Sequence, residues 1–156
     1  MEKTNVMRLL DRAKISYRQY CYADTGAVSG TEVAAELGQN PAQVFKTLVT
    51  LGRSGRHYVF LVPVKDELDL KKAAACFGEK SVEMIKSKDL LPLTGYIHGG
   101  CSPIGMKKPF PTAMDQSARE VDPIIFSGGK IGYQVQLQLQ DLEKILPFTL
   151  CDLVVE

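Results

Sequence analysis

Residues 44–63, VFKTLVTLGRSGRHYVFLVP, contain the pattern that decides the fold of this chain. Two runs rich in Val, Phe, Thr and Leu flank the turn GRSGR at residues 52–56, and this arrangement predicts a β-hairpin. Lys46 stands inside the first run, beside Thr47, where a buried or half-buried strand is expected. An ammonium group in such a place needs water, a counter-charge or a bound anion to offset its desolvation.

The position of Lys46 on the predicted strand has two interpretations. Side chains alternate along a strand, so Lys46 shares a face with Val44 and Leu48, and Thr47 lies on the opposite face. A strand lysine often protects a sheet edge from aggregation or extends its ammonium group to water. If this face is buried instead, a ligand phosphate or carboxylate would supply the counter-charge. The pattern of residues leaves both interpretations open.

Helical and strand patterns follow one another irregularly outside the hairpin. Apolar spacings of three and four residues predict helices, and alternating or β-branched runs predict strands. Helices are predicted over residues 4–14, 31–37, 70–77 and 87–93. Strands with glycine loops are predicted in 15–22, 96–105, 106–115, 123–130 and 133–139, the last with exposed glutamines. This order predicts an α+β fold around a mixed, mostly antiparallel sheet with several short helices, in a single domain over residues 1–156.

Short motifs mark where two of these helices begin and end. Ser29 is followed three residues later by Glu32, which is the spacing of a capping box, and Gly38 is placed to end that helix. Asp69 is expected to cap the helix over residues 70–77, and Gly78 is expected to close it.

Composition excludes several classes of protein. The chain has 156 residues and carries 19 Lys and Arg against 18 Asp and Glu, so its net charge of +1 is not that of a polycation built for nucleic acid. It has no run of 18 apolar residues and no signal-peptide core, so we expect a cytoplasmic protein without a membrane partner. The four cysteines are scattered and form no CxxC pair, so we expect reduced thiols and no metal site.

The chain lacks the motifs of common enzymes. GxxxxGK[ST], GxGxxG before a helix, HExxH and GxSxG are all absent, which removes ATP, dinucleotide, zinc-protease and α/β-hydrolase sites, and no cofactor is expected. Cys101 follows His98 by three residues, and a cysteine nucleophile with a histidine base is one alternative. A small thiol that fills a gap in the core is the commoner role of such a cysteine.

Two glycine loops remain as candidate binding elements. GGCSPIG at residues 99–105 and SGGK at residues 127–130 each place consecutive glycines after a predicted strand. Backbone N–H groups in such loops can turn outward together and hold an anion or a developing oxyanion. Glycines also simply allow a chain to turn, so either loop alone does not decide between these roles.

A set of motifs in this order resembles a known family. The stretches NPAQVFKTL (40–48), TGYIHGGCSPIGMKK (94–108) and SGGK (127–130), with LDLKKAA and VEM between the first two, are similar to the YbaK-type Cys-tRNA(Pro) deacylases. These deacylases are relatives of the editing insertion domain of bacterial prolyl-tRNA synthetase. The resemblance spans nearly the whole chain and depends on the set of motifs, since no one of them is specific.

The resemblance implies a fold, a reaction and a site. It implies a compact α+β editing domain that hydrolyses the aminoacyl ester of mischarged tRNA(Pro), mainly Cys-tRNA(Pro), with the substrate's own thiol as nucleophile. Lys46 is the expected catalytic residue and would hold the phosphate or ribose region of the terminal adenosine. The implied partners are the acceptor end of tRNA(Pro) and prolyl-tRNA synthetase, with no DNA. The other expected substrate-binding residues are Tyr20, Thr47, Gly99, Gly100, Ser127, Gly128 and Gly129.

Two departures from the family pattern concern substrate preference. Gln134 stands where YbaK-type sequences often carry an acidic residue, and AVSG around Ser29 replaces an expected aromatic residue. The resemblance therefore leaves open a deacylase for alanyl or seryl tRNA, or a module that binds the acceptor end or the synthetase without catalysis. The candidate basic patches for tRNA are Arg53 with Arg56, Lys71 with Lys72, and Lys107 with Lys108.

Overall fold

The hairpin predicted from residues 44–63 forms the centre of the larger of two β-sheets. The computed structural model describes residues 2–156. The strands, in chain order, are β1 (Arg18–Cys21), β2 (Phe45–Gly52), β3 (His57–Pro63), β4 (Val82–Met84), β5 (Thr112–Asp115), β6 (Ile124–Ser127), β7 (Tyr133–Leu137) and β8 (Thr149–Cys151). β2 and β3 pair in antiparallel register, with Lys46 opposite Val62, so the predicted hairpin is confirmed.

The strands divide into two sheets. The larger has the order β4-β2-β3-β5-β8, with β5 parallel to both β3 and β8 and the other pairs antiparallel. The smaller has the order β1-β7-β6 and is antiparallel throughout. A parallel bridge between Val44 and Ile125 joins the start of β2 to β6. The predicted α+β class with mixed pairing is confirmed, but the sequence did not predict the division into two sheets.

Short helices lie between and around the strands. They are α1 (Asn5–Arg12), α2 (Gly30–Glu36), α3 (Leu70–Cys76), α4 (Ser87–Thr94) and α5 (Leu139–Leu142), with a 3-10 helix at Gln116–Glu120. The four predicted helices are thus confirmed, with ends that differ by up to two residues. Within residues 2–156, no helix is long and apolar enough to cross a membrane.

The predicted helix boundaries form by the expected hydrogen bonds. The Ser29 Oγ accepts a hydrogen bond from the Glu32 N–H at 3.2 Å, and the Glu32 carboxylate accepts one from the Ser29 N–H at 3.3 Å, so the capping box is confirmed. The Asp69 side chain accepts hydrogen bonds from two backbone N–H groups in the first turn of α3. Gly38 and Gly78 follow their helices with φ of 67° and 70°, the left-handed conformation in which glycine is favoured.

Parts of three predicted strands are wrong. Residues 96–111 form loops and turns, and only Thr112–Asp115 of the stretch predicted over 96–115 is a strand. This stretch contains three prolines, which have no N–H to donate to a sheet ladder. The strand predicted over 133–139 ends at Leu137 because Leu139 begins α5.

Apolar side chains cover both faces of the larger sheet. On one face, side chains of β2 and β3 pack with α1 and the smaller sheet; the largest are Phe45, Leu61, Met114, Phe126, Met7 and Leu10. On the other face, Phe60 and Val62 of β3 pack with Ala73 and Ala74 of α3. β3 is therefore buried on both sides, which explains its nearly continuous run of apolar residues.

Cys76 and Cys151 form a disulfide that joins α3 to β8. This corrects the expectation of reduced thiols for these two residues, which lie 75 positions apart in sequence and meet only in the folded chain. Their Cα atoms are 6.5 Å apart, within the span of a disulfide. Cys21 and Cys101 are free, as expected.

Asp115 ties the end of β5 to the C-terminal segment. It is 3% exposed, and it accepts hydrogen bonds from the Leu153 N–H at 2.9 Å and the Ser117 N–H at 3.2 Å. Asp115→Ala removes this acceptor, so we expect a loss of about 2–3 kcal/mol in the free energy of unfolding, measured in urea. Asp24→Ala, at an exposed aspartate, is the control and should change it by less than about 0.5 kcal/mol. An equally small loss for Asp115→Ala would contradict this role.

Candidate active site

A cleft with a volume of about 380 Å³ opens between the start of β2 and the smaller sheet. Its walls come from β2, the first turn of α2, the loop after α4 and the adjoining ends of β6 and β7. The lining residues that bear on chemistry are Tyr22, Lys46, Thr47, His98, Gly99, Cys101, Ser127, Tyr133 and Gln134. Four residues predicted from the family resemblance therefore share one cleft: Lys46, Thr47, Gly99 and Ser127.

A second cavity of about 460 Å³ lies on the other side of α4. Leu90 of α4 lines the first cleft, whereas Pro92 and Leu93 line this second cavity. None of the predicted site residues borders it. The candidate site is therefore the smaller cleft, in which the predicted side chains converge.

The hydrogen-bond ladder of β2 explains why the cleft lies at this place. Even-numbered residues of β2 and its flanks bond to the β3 side: the Val44 C=O accepts from the Val64 N–H at 2.8 Å, and the Gly52 N–H donates to the Arg56 C=O at 2.7 Å. Bonding directions alternate along an antiparallel strand. The N–H and C=O groups of Thr47 therefore point to the opposite edge of β2.

That opposite edge has a gap at Thr47. On one side of the gap, the Ile125 N–H donates to the Gln43 C=O at 3.0 Å. On the other side, the Ile85 N–H donates to the Val49 C=O at 3.3 Å. Neither neighbouring segment is in register with Thr47, which lines the cleft at this gap. An unpaired strand edge offers both a donor and an acceptor to a ligand.

The Thr47 hydroxyl also has no partner. Its Oγ1 atom is buried and makes no hydrogen bond with any residue from 2 to 156. A buried polar group without a partner destabilises a protein by roughly 1–3 kcal/mol. A hydroxyl retained at that cost, beside an open strand edge, indicates a role toward a polar ligand.

Lys46 supplies the cleft with a positive charge. Its side chain is half-buried and forms no ion pair with any residue that the structure describes. Among the described residues, no Asp or Glu lines the cleft. The cleft therefore has the charge to receive an anionic group, which favours the ligand interpretation of Lys46 over that of a lysine guarding a sheet edge.

The two glycine loops pack against each other. A Cβ atom added to Gly100 would lie 3.0 Å from the backbone nitrogen of Ile131, and one added to Gly128 would lie 3.2 Å from the Tyr133 Cβ. Gly129 has a φ of 90°, and its added Cβ would lie 2.7 Å from a methyl carbon of Val6 in α1. These glycines are therefore required by close packing behind the cleft.

The backbone N–H groups of these glycines are mostly used within the protein. The Gly128 N–H donates to the Tyr133 C=O at 2.9 Å, and the Gly129 N–H donates to the Ser127 Oγ at 3.1 Å. The Gly100 N–H donates to the Ile97 C=O at 3.0 Å. Of the two roles that the sequence left open for these loops, the internal bonds of these three amides favour chain turning over anion binding.

Tyr20 lies beside the cleft without lining it. The strand register places Tyr20 opposite Gln134, and Gln134 opposite Ser127, so the three residues form a row across the smaller sheet. Residues opposite each other share a face of a sheet. The Tyr20 hydroxyl donates to the Gln136 side chain at 3.0 Å. Its binding role stays a prediction.

Gln134 is a cleft residue that was expected on an exposed strand face. It is 5% exposed, and its Oε1 accepts a hydrogen bond from the Gln39 Nε2 at 2.8 Å. The alternation along β7 correctly separates glutamines from apolar residues, but the polar face here is covered by the cleft wall. The family resemblance had already singled out Gln134; what the sequence did not show is its burial and its pairing with Ser127.

Cys101 and His98 both line the cleft, but the thiol is poorly suited to attack. Cys101 is 8% exposed, and its burial raises the pKa of the thiol to about 12. The reactive form of a cysteine is the thiolate, which this environment disfavours. His98 is exposed at the cleft, with no hydrogen bond that orients it toward the thiol within the described chain. The arrangement does not support Cys101 as a nucleophile.

The chain belongs to the aminoacyl-tRNA editing domain family, whose family model matches residues 25–145. A protein from Enterococcus faecalis, named provisionally as the Cys-tRNA(Pro)/Cys-tRNA(Cys) deacylase EbsC, is 47% identical over 137 residues, which cover 87% of this chain and 84% of that protein. The family predicted from the motifs is therefore confirmed, and with it the enzyme class of aminoacyl-tRNA deacylase.

Solved structures show the same fold. A crystal structure described provisionally as a trans-editing enzyme for prolyl-tRNA synthetase has a TM-score of 0.83 and 24% identity, covering 99% of this chain and 100% of that one. The crystal structure of hypothetical protein APE2540 has a TM-score of 0.87 and 19% identity, covering 97% of this chain and 100% of that one. At these identities the likeness supports the fold alone.

The burial of Cys101 predicts that the thiol is dispensable. We expect Cys101→Ala to retain deacylase turnover within about threefold, and native Cys101 to react with iodoacetamide far more slowly than an unfolded cysteine at pH 8, because little thiolate forms at that pH. Cys21→Ala is the matched control at the other free cysteine. Loss of turnover in a folded Cys101→Ala protein would restore the cysteine-nucleophile alternative.

The unpartnered hydroxyl of Thr47 predicts opposite effects on stability and activity. Thr47→Val keeps the branched shape and removes Oγ1, so we expect the free energy of unfolding to rise by about 1 kcal/mol while kcat/KM falls about tenfold or more. Thr47→Ser keeps the hydroxyl and should retain activity. Chemical denaturation and initial rates measure the two effects. A Thr47→Val protein that is less stable and fully active would refute a ligand role for the hydroxyl.

Proposed function

We propose that this protein hydrolyses the aminoacyl ester of mischarged tRNA(Pro) in trans, with Cys-tRNA(Pro) as the main substrate. The observation that carries the proposal is the charge of Lys46 in a cleft without a carboxylate. The acceptor end of tRNA brings phosphate groups, so it supplies the negative charge that the protein does not. The name of the 47% identical relative supports the cysteine-directed reading.

Lys46 holds the terminal adenosine in this proposal. A lysine ammonium is a compact point charge that suits a phosphate oxygen or the ribose hydroxyls next to it. Contact with a non-reacting part of the substrate fixes the ester relative to the rest of the cleft. Ser127 and Gly99 line the same cleft, and in this proposal they contact the same end of the tRNA.

Thr47 positions the ester itself. Its free backbone N–H and its hydroxyl supply donors for the carbonyl oxygen, and its backbone C=O supplies an acceptor for the amino group of the attached amino acid. Donors held in place before the reaction stabilise the negative charge that develops on a carbonyl oxygen. An aminoacyl ester is already activated, so positioning and hydrogen bonds supply the acceleration without a protein nucleophile.

The substrate's thiol performs the attack in this proposal. The cysteine sulfur bonds to the ester carbonyl carbon, the bond from that carbon to the ribose oxygen breaks, and the thiol proton goes to the departing ribose oxygen. Water then opens the resulting thiolactone to free cysteine. Cysteine and proline have similar volumes, and a pocket distinguishes about one methylene by only ~1–3 kcal/mol, so a proline synthetase requires such a second hydrolytic site.

The charges outside the cleft support a weak contact with the body of tRNA. Lys72 is bonded to Asp152 and the Val154 C=O, so one member of the predicted patch with Lys71 is already neutralised. Lys107 lies against Gly95, three residues before His98 of the cleft, and we propose it as a contact for the body of the tRNA. We propose that the protein, as one domain over residues 1–156, acts in the cytoplasm alongside prolyl-tRNA synthetase.

A non-catalytic module that binds the acceptor end is the second candidate. The unpaired edge of Thr47 and the charge of Lys46 would serve binding as well as hydrolysis, and the open departures at Gln134 and Ser29 also keep alanyl and seryl esters as candidate substrates. Measured hydrolysis distinguishes a deacylase from a binding module, because a binding module would hydrolyse none of the candidate aminoacyl esters.

The first experiment compares hydrolysis of Cys-tRNA(Pro) and Ala-tRNA(Pro) by the purified protein and by Lys46→Met. We expect cysteine to be released, and Lys46→Met to lower kcat/KM about 10- to 100-fold, because it removes a charged hydrogen bond to the substrate. Lys80→Met, which removes the same charge from an exposed site outside the cleft, is the matched control and should remain active.

The outcomes separate the candidates. Release of alanine without cysteine would reassign the substrate, and no release from either tRNA, with prolyl-tRNA synthetase present, would favour the binding module. A folded Lys46→Met protein with unchanged kcat/KM would remove Lys46 from the site.

A further inference from the structure

Gln39 and Gln134 form a pair of amides at the wall of the cleft. Gln39 follows α2 and does not line the cleft, whereas Gln134 of β7 does. The Gln39 Nε2 donates to the Gln134 Oε1 at 2.8 Å. The Gln39 Oε1 is buried and has no hydrogen-bond partner in residues 2–156.

This hydrogen bond decides which end of the Gln134 amide faces the cleft. Its Oε1 is taken by Gln39, so the Nε2 group, with two N–H donors, is the end available to a ligand. Gln134 is more than nine-tenths buried and lies opposite Ser127, a second residue of the cleft wall. Burial and the hydrogen bond from Gln39 together restrict the rotation of this side chain.

Because of the other residues that line the cleft, it matters which end of the Gln134 amide faces a ligand. Gln134 is the one side-chain amide among the described cleft residues, and no carboxylate lines the cleft beside it. The donor end of an amide binds a carbonyl or hydroxyl oxygen and repels an ammonium group, whereas the acceptor end does the opposite. The orientation of Gln134 therefore selects which part of an aminoacyl ester it contacts.

We propose that Gln39 is a positioning residue that holds Gln134 with its N–H donors toward the ester carbonyl oxygen of the bound aminoacyl end. This inference rests on the proposed deacylase function and adds two residues to its site. A donor aimed at the carbonyl oxygen acts most strongly as negative charge develops there, so its loss lowers kcat more than it raises KM.

The experiment inverts the Gln134 amide without changing a residue of the cleft lining. Gln39→Glu has only acceptors, so Gln134 turns to donate its Nε2 group to it and presents Oε1 to the cleft. Gln39→Lys has only donors and keeps the native orientation. The two variants have similar length and both carry a charge, so a merely structural role for Gln39 predicts similar effects from both.

We expect Gln39→Glu to lower kcat for the preferred aminoacyl-tRNA at least about tenfold, with KM changed by less than about threefold. We expect Gln39→Lys to retain most of kcat. Gln134→Met, which removes both N–H donors from the cleft, should reproduce the loss of kcat even if Gln39→Glu does not fold. Gln140→Glu, at an exposed glutamine of α5, controls for the added charge.

Equal losses of kcat from Gln39→Glu and Gln39→Lys, or a fully active Gln134→Met, would overturn the inference while wild-type turnover leaves the proposed function intact. Absence of wild-type turnover on Cys-tRNA(Pro), Ala-tRNA(Pro) and Ser-tRNA(Pro) would overturn both. The double variant Gln39→Glu/Gln134→Met should have the same kcat as Gln134→Met alone. A lower kcat in the double variant would count against the inference, because Gln39 would then act without Gln134.

Discussion

The hydrogen-bond ladder along β2 is complete on one edge and interrupted on the other, and the site depends on that interruption. β3 bonds every second residue of β2, which leaves the alternate residues to be bonded by β6 at one end and by β4 and Ile85 at the other. Thr47 lies between the two ends and lines the cleft. Because β2 is anchored by β3 and by apolar packing on both faces, this open edge is rigid and its groups are already in position.

Groups that lower the stability of the folded chain are concentrated around this gap. The Thr47 hydroxyl and the Gln39 Oε1 are buried without partners, and Lys46 is half-buried without a counter-charge in the described chain. A third buried atom without a partner in residues 2–156, the Ser117 Oγ, lies outside the cleft in the 3-10 helix, whereas the buried Asp115 carboxylate is bonded to the Leu153 and Ser117 N–H groups. Buried polar or charged groups without partners are expected at functional sites, where a ligand supplies the missing partners. The two cores and the hairpin provide the stability that offsets them.

The groups of the cleft are suited to hold and orient a ligand rather than to attack it. Its cysteine is held in the thiol form by burial, and its glycine amides are largely used in the turns that shape the walls. What remains is a cation, a free strand edge and an oriented amide. Such groups bind and polarise a reactive ester, and they suit a substrate that carries its own nucleophile. The absence of a familiar catalytic motif in the sequence agrees with a site of this type.

The sequence by itself determined the hairpin, the four longer helices and the family, but not every strand. Local patterns can be recognised from the sequence alone because they depend on residues a few positions apart. Examples are the hairpin at 44–63, the capping box at Ser29 and the individual motifs. It also drew attention to Lys46, since a charge in an apolar run is conspicuous. Only the tertiary structure decided that the strands form two sheets, that Cys76 meets Cys151, that Gln134 is buried and that the ladder stops at Thr47. Each of these depends on contacts between distant segments, because strand pairing is set by packing of the whole chain rather than by the residues of either strand.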